Sequence, residues 1–456
     1  HLRILTSSRE PLHVAGETSY HMPALAVPDA GDKVTPDALA HYEATRLFVD
    51  RATAAQPSFR ATLANAPAIA DICRRLDGIP LAIELAAARV SALPVEKIAA
   101  RLSDRFRLLT GGDQTALPRQ QTLRALIDWS HDLLTEPERA LLRRLAVFAG
   151  GWTLEAAEGV CAGGGIDEAE VLDLLTHLVD KSLVAMDADG SRYRLLETVR
   201  EYALARLDES GEGMEARTRH LEHYVAFGEK AKHAFYGPAQ ADMLARLDLE
   251  RENILAAHVW AAHEPPGGEL GLRLAYSVGP YWYARGQPDL GRRLNEEALA
   301  RPGAYARSAA RARTLFEAGW QCCHLGRYEE AARWLEESLA IGRELGDRAH
   351  VARVLQPLGL AAFGRGDVDA SRTYMEEAAD LARESGDKRE LAAALNGLAQ
   401  LHRVEGELDA AEPLYDRVVR LARESGDSEA IAIGLLNLAM VSIGRGTGDR
   451  ARPMLI

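Results

Sequence analysis

Glycines recur at an interval of 40 residues in the second half of this chain, and no other feature limits its fold so strongly. Gly286, Gly326, Gly366, Gly406 and Gly446 form one series, and Gly346, Gly386 and Gly426, each followed by Asp, form another at the same interval. Apolar residues between these markers fall at helical spacing, so each period reads as two antiparallel helices joined by glycine turns. In the helix after the first glycine, Ala331, Ser371 and Ala411 share one column and Leu335, Met375 and Tyr415 another, four residues on. Small beside large at that spacing is a packing face. In the other helix Leu315, Leu355, Leu395 and Leu435 share a column, followed by Gly319, Gly359, Ala399 and Ala439, where a larger side chain would hold neighbouring helices apart. Stacked hairpins of this kind build an extended surface for a partner and offer no enclosed place for chemistry. Pro357 and Pro413 fall inside expected helices, where each removes a backbone hydrogen bond and should bend its hairpin.

The pattern, as in Gly326-Arg327-Tyr328-Glu329-Glu330-Ala331 and Gly406-Glu407-Leu408-Asp409-Ala410-Ala411, resembles the tetratricopeptide repeat in a long, 40-residue variant. Residues 271–456 are assigned to it.

A chain of 456 residues should hold roughly three or four domains. Its 47% hydrophobic and 27% charged residues suit a soluble protein with a large core, and the dominance of Ala, Leu, Arg and Glu favours helix. A net charge of −13 opposes general adhesion to nucleic acid or to anionic membranes. The four cysteines make no disulfide framework, and the adjacent Cys322-Cys323 has no zinc-ligand spacing, so a reducing cytoplasm is expected. No apolar run is long enough to span a bilayer and no signal peptide is evident. The chain opens on an apolar strand without an initiator Met and closes partway into what the repeat register makes a helix, so both ends read as cut.

Residues 1–9 read as a buried parallel strand whose polar end, Thr6-Ser7-Ser8-Arg9, would emerge where α/β folds place ligands. Ala68 to Leu76 reads as a helix, stopped by Asp77-Gly78-Ile79 and restarted at Pro80. Taken in order, Ile4 to Leu12, Arg46 to Ala52 and Leu76-Asp77-Gly78-Ile79-Pro80-Leu81-Ala82 resemble the STAND signal-transduction ATPases of the NB-ARC type, in the regulator branch found in bacteria. The resemblance makes Arg9 a sensor of the terminal phosphate of ATP, and makes Gly78 and Pro80 the Gly-x-Pro turn of a helical lid whose Pro packs against nucleotide. A fixed guanidinium distinguishes ATP from ADP by charge and bidentate geometry, and a lid that senses the difference can rotate. The chain carries no Gly-x-x-x-x-Gly-Lys-Ser/Thr loop, so ATP or ADP with Mg²⁺ belongs to a full-length parent, and neither tight nucleotide binding nor ATPase activity is expected of this chain alone.

The expected fold is mainly α. Residues 1–28 are the end of an α/β nucleotide-binding domain, 29–115 the lid, 116–210 a winged helix, 211–270 a helical connector and 271–456 the repeats, an α-solenoid. The winged helix rests on the capping-box start Thr135-Glu136-Pro137-Glu138, a helix from Asp167 to Val179, and a hairpin from Ser182 to Leu196 turning at Ala188-Asp189-Gly190. Its candidate groove helix carries Asp167, Glu168, Glu170, Asp173 and Asp180 with Lys181 alone at its end, so phosphate repulsion opposes docking and DNA contact is assigned to a domain outside this chain. Tyr193 to Ala203 resembles the family's closing segment, with Leu196 where some relatives have a phosphate-sensing His. His220, His223 and Tyr224 read as a half-buried helix face and not a metal site, and Asp248 to Ile254 as a charged, solvated connector.

Two functions follow from different classes. The first is the regulatory and sensory part of an ATP-controlled switch, a regulator of transcription whose repeats receive a protein or small-molecule inducer and which self-associates on activation. The second is a repeat scaffold with a degenerate nucleotide domain. No nucleophile–base pair or carboxylate dyad recommends an enzyme acting through its own side chains.

Overall fold

The computed structural model describes residues 24–29, 34–102, 123–187, 189–235, 239–263 and 267–454. The strand expected at 1–9, and with it Arg9, lies outside them. The chain is mainly helical and divides into two units, His1–Arg219 and His220–Ile456.

In the first unit, helices Glu43–Ala55, Ala66–Arg75, Pro80–Ala88 and Val95–Arg101 enclose a core in which Phe48, Ile69, Ile72, Ile83 and Ile98 are fully buried. Helix Ala66–Arg75 has Pro67 in its first turn and Arg74 and Arg75 in its last, the arrangement favoured by the orphan amides and by the helix dipole. It ends where Asp77 and Gly78 both turn left-handed, at φ 53° and 65°, and Pro80 opens the next helix.

The winged helix follows as helices Glu136–Leu145, Leu154–Cys161 and Val171–Asp180, a hairpin, and helix Glu197–Ser210. Thr135 and Glu138 form the capping box anticipated from their spacing. The helix expected from Asp167 begins as a short 3-10 turn, Glu168–Glu170, and becomes α-helical at Val171. The hairpin pairs Ala185 with Arg194 and Met186 with Tyr193 antiparallel, and Trp152 bridges to the far side of Tyr193. That third strand position has no repeating pattern in the sequence to announce it. Tyr202 and Ile127 join the apolar cluster of those four helices, so they share one core with the winged helix.

In the second unit, helices Gly213–Ala234 and Gln240–Trp260 lead into the hairpins, and Gly213–Ala234 contains the boundary between the units. The hairpins pair Gly267–Ala284 with Pro288–Leu299, Ala309–His324 with Tyr328–Glu344, Arg348–Gly364 with Val368–Ser385, and Lys388–Val404 with Leu408–Ser425. Ser428–Gly444 begins a fifth. Gly326, Gly366, Gly406 and Gly446 turn with φ between 70° and 84°, a conformation that costs a residue with a side chain about 1–2 kcal/mol. The second glycine series is likewise left-handed, and Asp347, Asp387 and Asp427 cap the helices that follow it.

The columns pack as their spacing implies. Leu335, Met375 and Tyr415 are buried, and a Cβ added to Gly319 would lie 2.5 Å from Leu335 Cγ, one on Gly359 2.7 Å from Met375 Cε. Pairs such as Arg343–Glu377 (2.8 Å), Arg353–Glu390 (3.0 Å) and Arg389–Asp427 (3.0 Å) tie successive hairpins at their surface. Pro357 and Pro413 sit within continuous helices, as does Pro280.

Two expectations about the connector change. Asp248 is not simply solvated, since it accepts from Tyr281 Oη at 3.0 Å and pairs with Arg285, and Glu250 is buried, accepting from Tyr224 Oη at 2.6 Å and Asn253 Nδ2 at 2.8 Å. A helix inside a stack has neighbours on several sides, which the charge pattern of one helix does not show. His220 is buried against the Tyr224 ring, with centres 4.7 Å apart, and His223 stands edge-on to it at 5.1 Å. These histidines pack around a tyrosine.

Candidate functional site

The turn Leu76 to Pro80 joins three stretches of chain. On one side Gly78 O accepts from Leu25 N at 3.1 Å, and Ala26 O accepts from Ala44 N at 3.2 Å, so the segment before the lid runs extended along it. The approach is too close for any side chain at position 78, because a Cβ there would lie 2.2 Å from Leu25 O. On the other side the Asp77 carboxylate accepts from Thr198 N at 3.1 Å and Thr198 Oγ1 at 3.3 Å.

Helix Glu197–Ser210 starts after Leu196, whose side chain cannot cap it. Asp77, distant in sequence, therefore supplies the missing cap for one of the orphan amides and adds negative charge at the positive end of the helix dipole. Thr198 is fully buried. A turn further along, Tyr202 Oη donates to Asp128 Oδ1 at 2.7 Å and Arg206 Nη2 reaches the same oxygen at 3.1 Å. Burial, and then the bond to Asp128, push the Tyr202 hydroxyl up to about 12, so it stays protonated as the donor. The closing helix of the winged helix is thus fastened to the helices before it by a cap and a buried tyrosine.

Among the expected site residues, Gly78 is buried at the centre of this turn, and Pro80 is exposed at the first position of its helix, its ring open to a ligand. Arg9 lies outside the described residues, so its distance from the turn is not assigned. Asp77 and Thr198 both lie in segments that resemble the family, but their partnership has no sequence signal: 121 positions separate them. Asp77→Ala should cost roughly 1–2 kcal/mol by losing the cap, Asp77→Gly less because it relieves the left-handed strain, and Asp77→Asn least. Denaturant midpoints, with amide exchange of Thr198 as the local probe, would establish that order.

The candidate groove helix is acidic, as its sequence implies. Lys181 Nζ, its terminal cation, is held by both oxygens of buried Glu138 at 2.8 and 2.9 Å. The exposed face of Val171–Asp180 presents Leu172, Asp173, Thr176 and His177. Arg192 and exposed Arg194 are the cations of the hairpin.

The four cysteines are buried free thiols that burial pushes up to about 12, which favours the thiol over the thiolate. His402, Glu405 and Glu407 have ligand atoms within 4.8 Å of one another at a repeat turn. They are accounted for by ion pairs: His402 with Glu407, and Glu405 with Arg372. No helix of the described residues is long and apolar enough to cross a membrane.

Comparison with known proteins agrees with this architecture. The family described as "Winged helix-turn-helix domain" matches residues 134–208, and "Tetratricopeptide repeat" matches 311–384 and 350–424. A "Putative HTH-type transcriptional regulator" of Mycobacterium tuberculosis is 43% identical over 362 residues, covering 76% of this chain and 39% of that protein. An uncharacterized protein of the same species is 45% identical over 225 residues, covering 49% of this chain and 54% of its own length. The chain therefore spans about two fifths of the length of the regulator it matches. Among solved structures, a Signal Transduction ATPase with Numerous Domains (STAND) protein with a tetratricopeptide repeat sensor, from Pyrococcus horikoshii, aligns over 92% of this chain and 60% of its own at 14% identity. Its TM-score is 0.43. The chain joins a winged helix-turn-helix domain to tetratricopeptide repeats, and its curated relatives at this identity include proteins named as transcriptional regulators.

Proposed function

We propose that this chain is the regulatory and sensory part of a STAND-type, ATP-controlled signalling switch that governs transcription. The observation that carries the proposal is the double fastening of the lid turn: Gly78 to the segment leading from the nucleotide side, Asp77 to the winged helix. A turn held in this way transmits displacement, because moving the lid either strains the Thr198 cap or carries the winged helix with it. Pro80, exposed at the start of its helix, is free to meet a base, and Arg9 is the residue to meet a terminal phosphate. Bound ATP would supply the charge that tells one state from the other, and its hydrolysis by the parent would reset the switch. The repeats are the input arm, taking a protein or small-molecule inducer.

DNA reading is assigned to another domain of the parent, because the groove helix here is acidic and its one lysine is neutralised by Glu138. The alternative, a scaffold with a degenerate nucleotide domain, is separated by nucleotide affinity. In the full-length parent Arg9→Ala should weaken ATP binding about tenfold or more, as expected for loss of a charge-assisted contact, and leave ADP binding within about twofold. Equal ATP and ADP affinities before and after the substitution would leave only the scaffold. The chain alone should show no ATP turnover above background.

A further inference from the structure

One atom of the C-terminal unit faces two partners that it cannot serve together. His258 lies in the last turn of helix Gln240–Trp260. Its Nε2 is 3.0 Å from Glu297 Oε2, on helix Pro288–Leu299, and 2.8 Å from Arg301 Nη2, in the irregular segment that follows that helix. An ionised carboxylate only accepts and a guanidinium only donates. Nε2 therefore bonds Glu297 only with a proton on it, and Arg301 only without one, so the three side chains have two mutually exclusive arrangements.

At neutral pH the arrangement with Arg301 holds. Nη2 also donates to His258 O at 2.8 Å, which aims the guanidinium at the ring. Glu297 is 61% exposed and can turn to water while Nε2 is bare. Burial, and then the charge of Arg301, bring His258 down to about 4, against the opposing pull of Glu297. Helix Gly267–Ala284, the other neighbour, brings Gly271 to Arg301 and, among the described residues, no charged group to the ring. Arg301 itself is poorly compensated. It is only 8% exposed, its buried Nη1 has no partner, and among the described residues no carboxylate pairs with it.

We propose that His258, Glu297 and Arg301 form a proton-operated latch between helix Gln240–Trp260 and the end of the first hairpin. A proton from solvent adds to the Nε2 lone pair, the bond from Arg301 Nη2 breaks, and Nε2–H donates to Glu297 Oε2. Imidazolium and guanidinium then repel at contact distance, so Arg301 leaves for solvent with the irregular segment that carries it. The closed latch is a buried tie between the two elements, and the open one is a surface ion pair. Because His258 lies below its unfolded value near 6.5, the closed latch contributes in full above that pH and is lost as pH falls toward 4.

The test follows both side chains by nitrogen NMR in the whole chain carrying isotope-labelled histidine and arginine, with His258→Gln and Arg301→Lys identifying the signals by their loss. At neutral pH Nε2 should give the resonance of a bare ring nitrogen, and the two Arg301 Nη resonances should be distinct because one nitrogen is held. As pH falls through about 4, Nε2 should become protonated and the Nη resonances should merge, with the helical circular dichroism unchanged. Arg301→Gln should let His258 bind its proton about tenfold more tightly, and exposed Glu297→Gln about threefold more weakly with unchanged melting at neutral pH. The second variant keeps the test decisive if the first does not fold. A proton on Nε2 at neutral pH, a ring that titrates near 6.5, Nη resonances that stay distinct once the ring is charged, or acid unfolding before the ring titrates would each overturn the proposal. So would a Glu297→Gln variant whose His258 titrates as in the parent chain.

Discussion

Gly78→Ala should lower the stability of the N-terminal unit by roughly 3 kcal/mol, because two penalties act at one atom. The residue holds φ 65°, where a side chain is strained by about 1–3 kcal/mol. The added carbon would also lie 2.2 Å from Leu25 O, a backbone atom unable to swing aside. Relief requires the extended segment at Leu25 to leave the lid, breaking the Leu25 N to Gly78 O bond. Urea unfolding followed by circular dichroism would read the loss as a lowered midpoint. A shift below about 1 kcal/mol would mean that the segment before the lid is not held as described. An alanine at the exposed hairpin turn glycine Gly326, where an added Cβ meets nothing, should cost only the conformational part, about 1 kcal/mol.

Arg144→Ala should be comparably damaging, at roughly 3 kcal/mol, for an electrostatic reason. The Arg144 side chain is 5% exposed, and its guanidinium donates to Cys161 O at 2.8 Å, Gly163 O at 2.6 Å and Glu212 Oε1 at 2.8 Å. Gly163, Gly164 and Gly165 all turn left-handed, which lets this short run bend its carbonyls onto the guanidinium. Removing the arginine strands the buried Cys161 O, leaves Gly163 O with Ile166 N alone and leaves Glu212 with Arg143 alone, at 2.7 Å.

The same pair makes stability depend on acid. Burial alone would raise the Glu212 carboxyl, but its bonds to Arg143 and Arg144 outweigh that and bring it down to about 2. A carboxylate depressed in the folded state contributes its full stabilisation above its unfolded pKa, near 4.3, and loses it as pH falls toward 2. Urea midpoints should therefore drop between about pH 4.5 and 2, and Glu212→Gln should flatten that part of the profile at the expense of lower stability at neutral pH. An unchanged acid limb in the glutamine variant would reject the assignment.

The hairpins were legible residue by residue. A turn glycine, a capping aspartate and a small-against-large column each depend on neighbours within one or two helical turns, and the period of 40 repeats that local information until it is unmistakable. Gly359 beneath Met375 and the left-handed turn at Gly386 are where their spacing put them. The winged helix was legible for the same reason at its Thr135–Glu138 box, and Gly190 turns left-handed in the expected hairpin turn.

The contacts between segments were not legible. Asp77 reads as part of a helix stop, yet its carboxylate begins a helix 121 positions away. Lys181 reads as a free cation at a helix end until Glu138 closes on it, and Glu250 reads as solvated until Tyr224 and Asn253 surround it.

Sequence by itself determined the periodic, helical nature of this protein, its turns and its caps, because those follow from steric and hydrogen-bonding preferences within a few neighbouring residues. The tertiary structure decided which charges are spent inside the molecule and which stay outside, and that Asp77 caps the closing helix of the winged helix at Thr198. Pairing between distant segments depends on the three-dimensional path of the chain, and a carboxylate carries no mark in the sequence of the amide or ammonium it will meet.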